Sequence, residues 1–425
     1  MTGGLDEELD RRWSLPRLGL PFPAGASTLS IRELRTLDLK ISSGEVMLPA
    51  LALRRPAVES NIALVQEYVS GHGALLAPHM KTTMTPRLIG LQLAAGAWGV
   101  STANVDQAAI AIRAGARHVL IANEIAGSTD ARWLAHATTT NRIDVLCLVD
   151  SPRGVSLLED QLAAGGAAEP VRVLVEIGHP GGRAGTRGME DALATAVAVR
   201  RSDLLSLAGV STYEGVVGHD SRPETLTLVD MHLAAVRNIA VSLVARGLVD
   251  AERLIVSAGG TRYLDRVLAA LGPRTWAPCH ADLMVRPGSA VLYGIPGDDA
   301  GAARTLGVAG RGLQPALHLW AQILSCPEHG LAIANVGKRN VGDRKGSLFP
   351  IQVLQPDGER RAIDGLVSVL SLDDQHAYLD TSRCSVAVGS LVQFAVAYPA
   401  TLDRWRLVTV VDDEDTLIDA WETAF

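Results

Sequence analysis

Lys81 is one of only four lysines in the chain, with Lys40, Lys338 and Lys345, against 35 arginines. It follows His79 by two residues at the end of the apolar run GALLAPHMK. Residues two apart on a strand face the same way, and in a small barrel that face can be the interior. A lysine there has two uses. It can pair with a carboxylate on the rim, or, with its amine desolvated and its pKa lowered, it can attack a carbonyl and form an imine. The run SAGGT bears on the choice: Ser257, Gly259, Gly260 and Thr261 follow a later apolar segment. Paired glycines ahead of a helix let backbone N–H groups close on a phosphate, and the Thr261 hydroxyl adds a donor. A glycine pair alone is more often a simple tight turn. Together with a rim lysine, it makes phosphate plus imine the coherent reading, and pyridoxal 5'-phosphate supplies both groups.

Other side chains gather around this pair of motifs. Arg183 lies in the glycine-rich run GHPGGRAGTRG, where a guanidinium either faces solvent or reaches a phenolate or carboxylate oxygen. Tyr213 either packs or lies against a cofactor ring. Glu176 either points inward or stands behind the site as a charge. In LDDQHAYLD, Asp374, Gln375 and His376 form a polar turn. If that turn faces a barrel mouth, His376 is an acid or base with a pKa near neutrality.

Positioning these groups calls for a particular frame. From about residue 73 to 294 the chain alternates short apolar runs with amphipathic segments. The runs are GALLAPHMK, WGVSTA, HVLIANE, DVLCLVDS, VRVLVEIG, LSLAGVSTYEG, LIVSAGG and DLMVRP, and eight βα units predict an α/β fold of the TIM (β/α)8 type. Barrel chemistry sits at the C-terminal ends of the strands, where His79, Lys81, Asn123, Glu124, Asp150, Tyr213, Glu214 and SAGGT all fall. After about residue 305, strands follow one another without long helices, which predicts a β-rich second domain. The strand-like MLPALALRRP is expected to join it. The expected division is residues 1–54, contributing to the β domain; 55–304, the barrel; and 305–425, the C-terminal β domain.

Length agrees with two domains, since 425 residues exceed one usual core. A net charge of -7 without a basic patch gives no sign of nucleic-acid binding. The acidic N-terminus lacks the basic and apolar regions of a signal peptide, and no run is read as long and apolar enough to span a bilayer, so the cytoplasm is the expected compartment. Cys147, Cys279, Cys326 and Cys384 form no CxxC or Cys/His cluster and read as buried free thiols.

On these motifs the chain resembles the D-threonine aldolase and D-serine dehydratase group of fold-type III pyridoxal-phosphate enzymes, which includes bacterial D-amino-acid deaminases. PHMKTTM resembles the group's Pro-His-x-Lys-Thr signature, which implies a Schiff-base role for Lys81. EIGHPGGRAGTRG implies that Arg183 approaches the phenolic oxygen, GVSTYEG that Tyr213 lies by the ring, and SAGGT that the turn binds phosphate. GKRN and DDQHAYL resemble the C-terminal domain of the deaminase branch. The resemblance implies an alanine-racemase-like barrel with a β domain, a homodimer with shared active sites, and His376 as a candidate reaching across the subunits. It also exposes a departure. Relatives carry a metal-binding His-x-Cys or His-x-Asp pair near the C-terminus, whereas here Tyr398, Pro399 and Ala400 precede Thr401, Leu402 and Asp403. Alanine has no donor and a neutral tyrosine is a poor ligand, so no metal is expected. Another departure is Ala290 in RPGSAVLYG, where relatives tend to have tyrosine. The expected activity is a lyase acting on a β-hydroxy or related D-amino acid, by dehydration or retro-aldol cleavage, with Tyr398 or His376 as the further acid or base. Alternatives are a racemase or specialised biosynthetic enzyme on the same scaffold and, less in keeping with the extra domain, a non-catalytic carrier of the cofactor.

Overall fold

Each of the eight apolar runs becomes a parallel strand, because a strand covered by helices outside and by its neighbours' side chains inside is buried on both faces. In a computed structural model, which describes residues 10–14, 28–141, 143–249, 253–276, 279–293, 312–342 and 346–425, these strands are Leu75–Leu76, Val100–Thr102, His118–Glu124, Asp144–Val149, Val171–Ile177, Leu205–Thr212, Leu254–Ala258 and Ala281–Val285. They are numbered one to eight below. Strand eight pairs back with strand one, and the ring is completed by a parallel bridge between His79 and Ser101. The predicted (β/α)8 barrel with a β-rich second unit is therefore the observed fold.

Alternation along the strands sorts the barrel into layers. Ala77, Leu120, Leu146, Leu148, Leu174, Ala208, Ile255 and Met284 pack together inside. A larger apolar cluster, including Val119, Val145, Val173 and Val256, lies between the strands and the outer helices. Strand six departs from strict pairing at Gly209, which has φ +155°, and a Cβ there would fall 1.9 Å from the Ile255 carbonyl oxygen. Only glycine lets the two backbones come so close.

Helix Pro223–Ala245 corrects one expectation, since by length and composition it could cross a membrane. Its Val229, Leu233, Val236, Ile239 and Leu243 are packed in the outer barrel core, which accounts for its apolar character. Another correction concerns the thiols: Cys147 and Cys384 are buried, but Cys326 is exposed.

The second unit is largely antiparallel. Leu317–Glu328 is central, flanked by Leu391–Val396 and Leu331–Ala334. Ala50–Arg54 pairs antiparallel with Leu317–Trp320 and parallel with Thr409–Val411, so the early strand does join this sheet. Buried Leu51, Leu53, Leu317, Leu319, Phe394 and Val410 form its core. The boundary expected at residues 304 and 305 lies outside the described residues.

Candidate active site

Strand parity places the site before any side chain is inspected. Two residues beyond the inward Ala77, Ala122, Leu148, Leu174, Ile255 and Met284 come His79, Glu124, Asp150, Glu176, Ser257 and Arg286. They form a polar ring on top of an apolar plug. Above it lies a cavity of about 440 Å³ lined by His79, Lys81, Glu176, Arg183, Tyr213 and Arg286, among others, with Gly260, Thr261, Gly288 and Ser289 along one wall. That size suits a small-molecule site.

Lys81 reaches this cavity by a different route from the one the sequence suggested. Strand one has ended by Leu76, and Lys81 sits in a single helical turn, Met80–Thr82, capped by the His79 ring, whose Nδ1 accepts from Lys81 N at 3.4 Å. The strand cannot continue because Pro78 and His79 are already bound sideways to Ser101. Both side chains nonetheless line the cavity. Desolvation lowers the Lys81 amine pKa, and the charges of Arg183 and Arg286 lower it further. Burial, then Lys81, Arg286 and Arg183, holds His79 well below the usual imidazole range, so it is neutral.

Arg183 lies over the Tyr213 ring with its guanidinium carbon 4.9 Å from the centroid, so these two sequence candidates meet. The four SAGGT residues do not behave alike. Gly260 and Thr261 line the cavity. The Ser257 hydroxyl accepts from Arg286 Nη1 at 2.7 Å, and Gly259 N donates to Glu214. His376 is exposed, in the turn between Ser368–Leu372 and Ala377–Asp380, and does not line the cavity of its own chain. Tyr398 is 38% exposed, and the turn it caps, Pro399–Arg404, packs on the Lys81 turn.

Three groups went unassigned in the sequence reading. Arg286 is 7% exposed and donates to Ser211 Oγ at 3.0 Å and to the Thr212 carbonyl at 2.6 Å as well as to Ser257. Its signal was available: Met284 faces inward, so Arg286 must too. The second group is the pair Glu124 and Glu176, whose carboxyls meet beneath the cavity. Glu124 Oε1 is buried without a donor, and two touching carboxyls bond only if one holds a proton. Burial, then Glu176 beside it, then Asp150, pushes Glu124 up to about 8. The third is Glu214, buried against the glycine turn.

The Glu124 shift has a measurable consequence. Between its unfolded pKa and about 8, the folded chain holds a proton that the unfolded chain has released, so stability falls as pH rises through that window. Glu124→Gln supplies the donor permanently. The variant is expected to be more stable than the parent at pH 8.5 by about 2 kcal/mol, less than full linkage because the carboxyl is only partly withdrawn from water. Urea unfolding at pH 5.5 and 8.5 checks this, and identical pH dependence in both proteins would refute a shared proton.

Structural likeness defines the class first. A D-threonine aldolase from Filomicrobium marinum superposes with TM-score 0.74 at 24% identity, covering 91% of this chain and 97% of that one. An alanine-racemase-like protein from Idiomarina loihiensis gives 0.69 at 18%, covering 90% and 98%. At such identities the likeness shows the fold, which is alanine-racemase-like. Sequence narrows it: residues 316–411 match the family described as "Putative serine dehydratase domain". The D-threonine aldolase of an Arthrobacter species is 31% identical over 173 residues, 40% of this chain and 44% of that protein. The chain spans about half the length of the curated relatives it matches. It is a homologue of D-threonine aldolase, as its motifs indicated.

Proposed function

We propose that the chain is a pyridoxal-phosphate lyase acting on a β-hydroxy or related D-amino acid, and that the divalent metal of its relatives plays no part. The observation that carries this reading is Lys81. It is an amine with a lowered pKa in a cavity shared with Arg183 and Arg286, on the fold of a D-threonine aldolase. The residues fit the cofactor. The wall groups bring several positive charges to meet a phosphate and a carboxylate, a desolvated amine to bond an aldehyde, and a tyrosine ring to lie beside a flat heterocycle. Bound there, the cofactor would supply an electron sink for the pair left at Cα when a bond to it breaks.

The chain's own groups do the rest. Lys81 Nζ holds the aldehyde and, once displaced by the substrate amine, is the base nearest Cα. Arg183, steadied over Tyr213, is placed to bind a carboxylate or phenolate oxygen. Neutral His79 adds no further charge beside Lys81. Tyr398, at the start of the segment packed on the Lys81 turn, is a candidate for handling the β-hydroxyl proton. His376 is a candidate only if supplied by a second copy in a homodimer.

Incubating the reconstituted protein with D-serine, D-threonine and 3-hydroxy-D-aspartate is expected to yield a keto acid with ammonia, or glycine with an aldehyde. Solvent deuterium entering Cα without either product would identify a racemase instead. Activity is expected to survive EDTA. Loss under EDTA with recovery on adding a divalent cation would overturn the metal-free part alone.

A further inference from the structure

The paired glycines after strand seven do face an anion, but the anion belongs to the chain. Gly259 N donates to Glu214 Oε2 at 3.0 Å and Gly260 N to Glu214 Oε1 at 2.9 Å. Glu214 is 1% exposed and opens the short helical turn Glu214–Val216 that follows strand six. A carboxylate spread over two amides away from water makes charge-assisted bonds, and pulling it off would leave a buried charge unpaired. Access is also narrow, because the Tyr213 ring crowds Gly260 so closely that a Cβ there would lie 3.0 Å from it.

The wall of the cavity beside this turn is made of different groups. Thr261, Gly288 and Ser289 line it, and Gly259 does not. The Thr261 and Ser289 hydroxyls lie 2.9 Å apart. Two hydroxyls that satisfy each other can both rotate and donate to an arriving phosphate oxygen, so the pair is ready for an anion without stranding a donor beforehand.

Resting on the cofactor reading above, we propose that Glu214 stays on the Gly259 and Gly260 amides as an internal anion that fixes the turn, and that the phosphate is held by the Thr261–Ser289 hydroxyl pair. Glu214 is then a positioning residue, and Ser289 is a binding residue to which the glycine motif does not point.

Titrating the apo-protein with pyridoxal phosphate and with pyridoxal, which lacks the phosphate, tests this by affinity without any turnover. The double variant T261A/S289A, and more weakly S289A alone, is expected to bind pyridoxal phosphate at least tenfold less tightly while binding pyridoxal as the parent does. Glu214→Gln sets an amide N–H2 against a backbone N–H. It is expected to lower Tm and to weaken pyridoxal phosphate. Tighter binding of pyridoxal phosphate by E214Q or E214A, with pyridoxal unchanged, would show that the carboxylate is a displaceable occupant of the true phosphate site. A double variant that discriminates the two aldehydes as the parent does would equally overturn the assignment. If the parent captures neither aldehyde at Lys81, the cofactor reading itself fails, and this inference with it.

Discussion

Lys81→Ala is expected to abolish capture of pyridoxal phosphate and to lower kcat by roughly 10⁴-fold or more, since one side chain both attaches the aldehyde and moves the proton at Cα. The basis is comparative as well as local. Lys40 is tied to Glu414 at 2.9 Å, and that bond raises its pKa, which keeps the amine charged and unreactive. Lys81 is shifted the other way by desolvation and by Arg183 and Arg286, so a larger fraction is neutral near pH 7. Borohydride reduction of the loaded protein followed by peptide mass analysis is therefore expected to find the label on Lys81. A label on Lys40 or Lys338, or undiminished binding by Lys81→Ala, would sink the assignment. Adding a small primary amine to the variant should restore part of the proton transfer without restoring the covalent attachment.

Much of this arrangement was legible because it is set by local rules. The eight strands follow from apolar runs of strand length between amphipathic helices, and parity within each run decides which side chain crowns the interior. Lys81 was found through its neighbours in sequence. What escaped depends on contacts between distant segments. Parity placed Lys81 on a strand, but Ser101 captures the backbone at Pro78 and His79, and the chain turns before reaching it. Glycines in SAGGT announced amides in search of an anion, but no local pattern says that Glu214, 45 positions earlier, supplies it. The meeting of Glu124 and Glu176 joins strands three and five across an intervening strand. Asp374 and His376 were correctly read as a turn, but where that turn sits relative to a barrel mouth depends on how copies assemble, and one chain's sequence does not encode that as a pattern.

Arg286 links these separate features, and its removal is expected to be the most damaging substitution to stability. Its guanidinium binds Ser211, Ser257 and the Thr212 carbonyl together, which ties strands six, seven and eight at the rim. The Glu214 and Glu176 carboxylates act on it electrostatically, and it acts in turn on Lys81 and His79. Arg286→Met leaves those oxygens without a donor and two acidic groups without a nearby positive charge, a loss of about 3–5 kcal/mol. It also removes one of the charges that depress Lys81, so the Lys81 pKa must rise and aldehyde capture must move to higher pH. Arg286→Lys separates the two effects. It keeps the charge but cannot reproduce a planar fork reaching three acceptors. It should therefore lose much of the stability while leaving the pH dependence of capture near that of the parent. Denaturant melts and pH titrations of capture on the two variants check both arms. If Arg286→Met destabilises the fold but does not shift the capture profile, the arginine is a structural tie alone, and the low pKa of Lys81 must come from desolvation and Arg183.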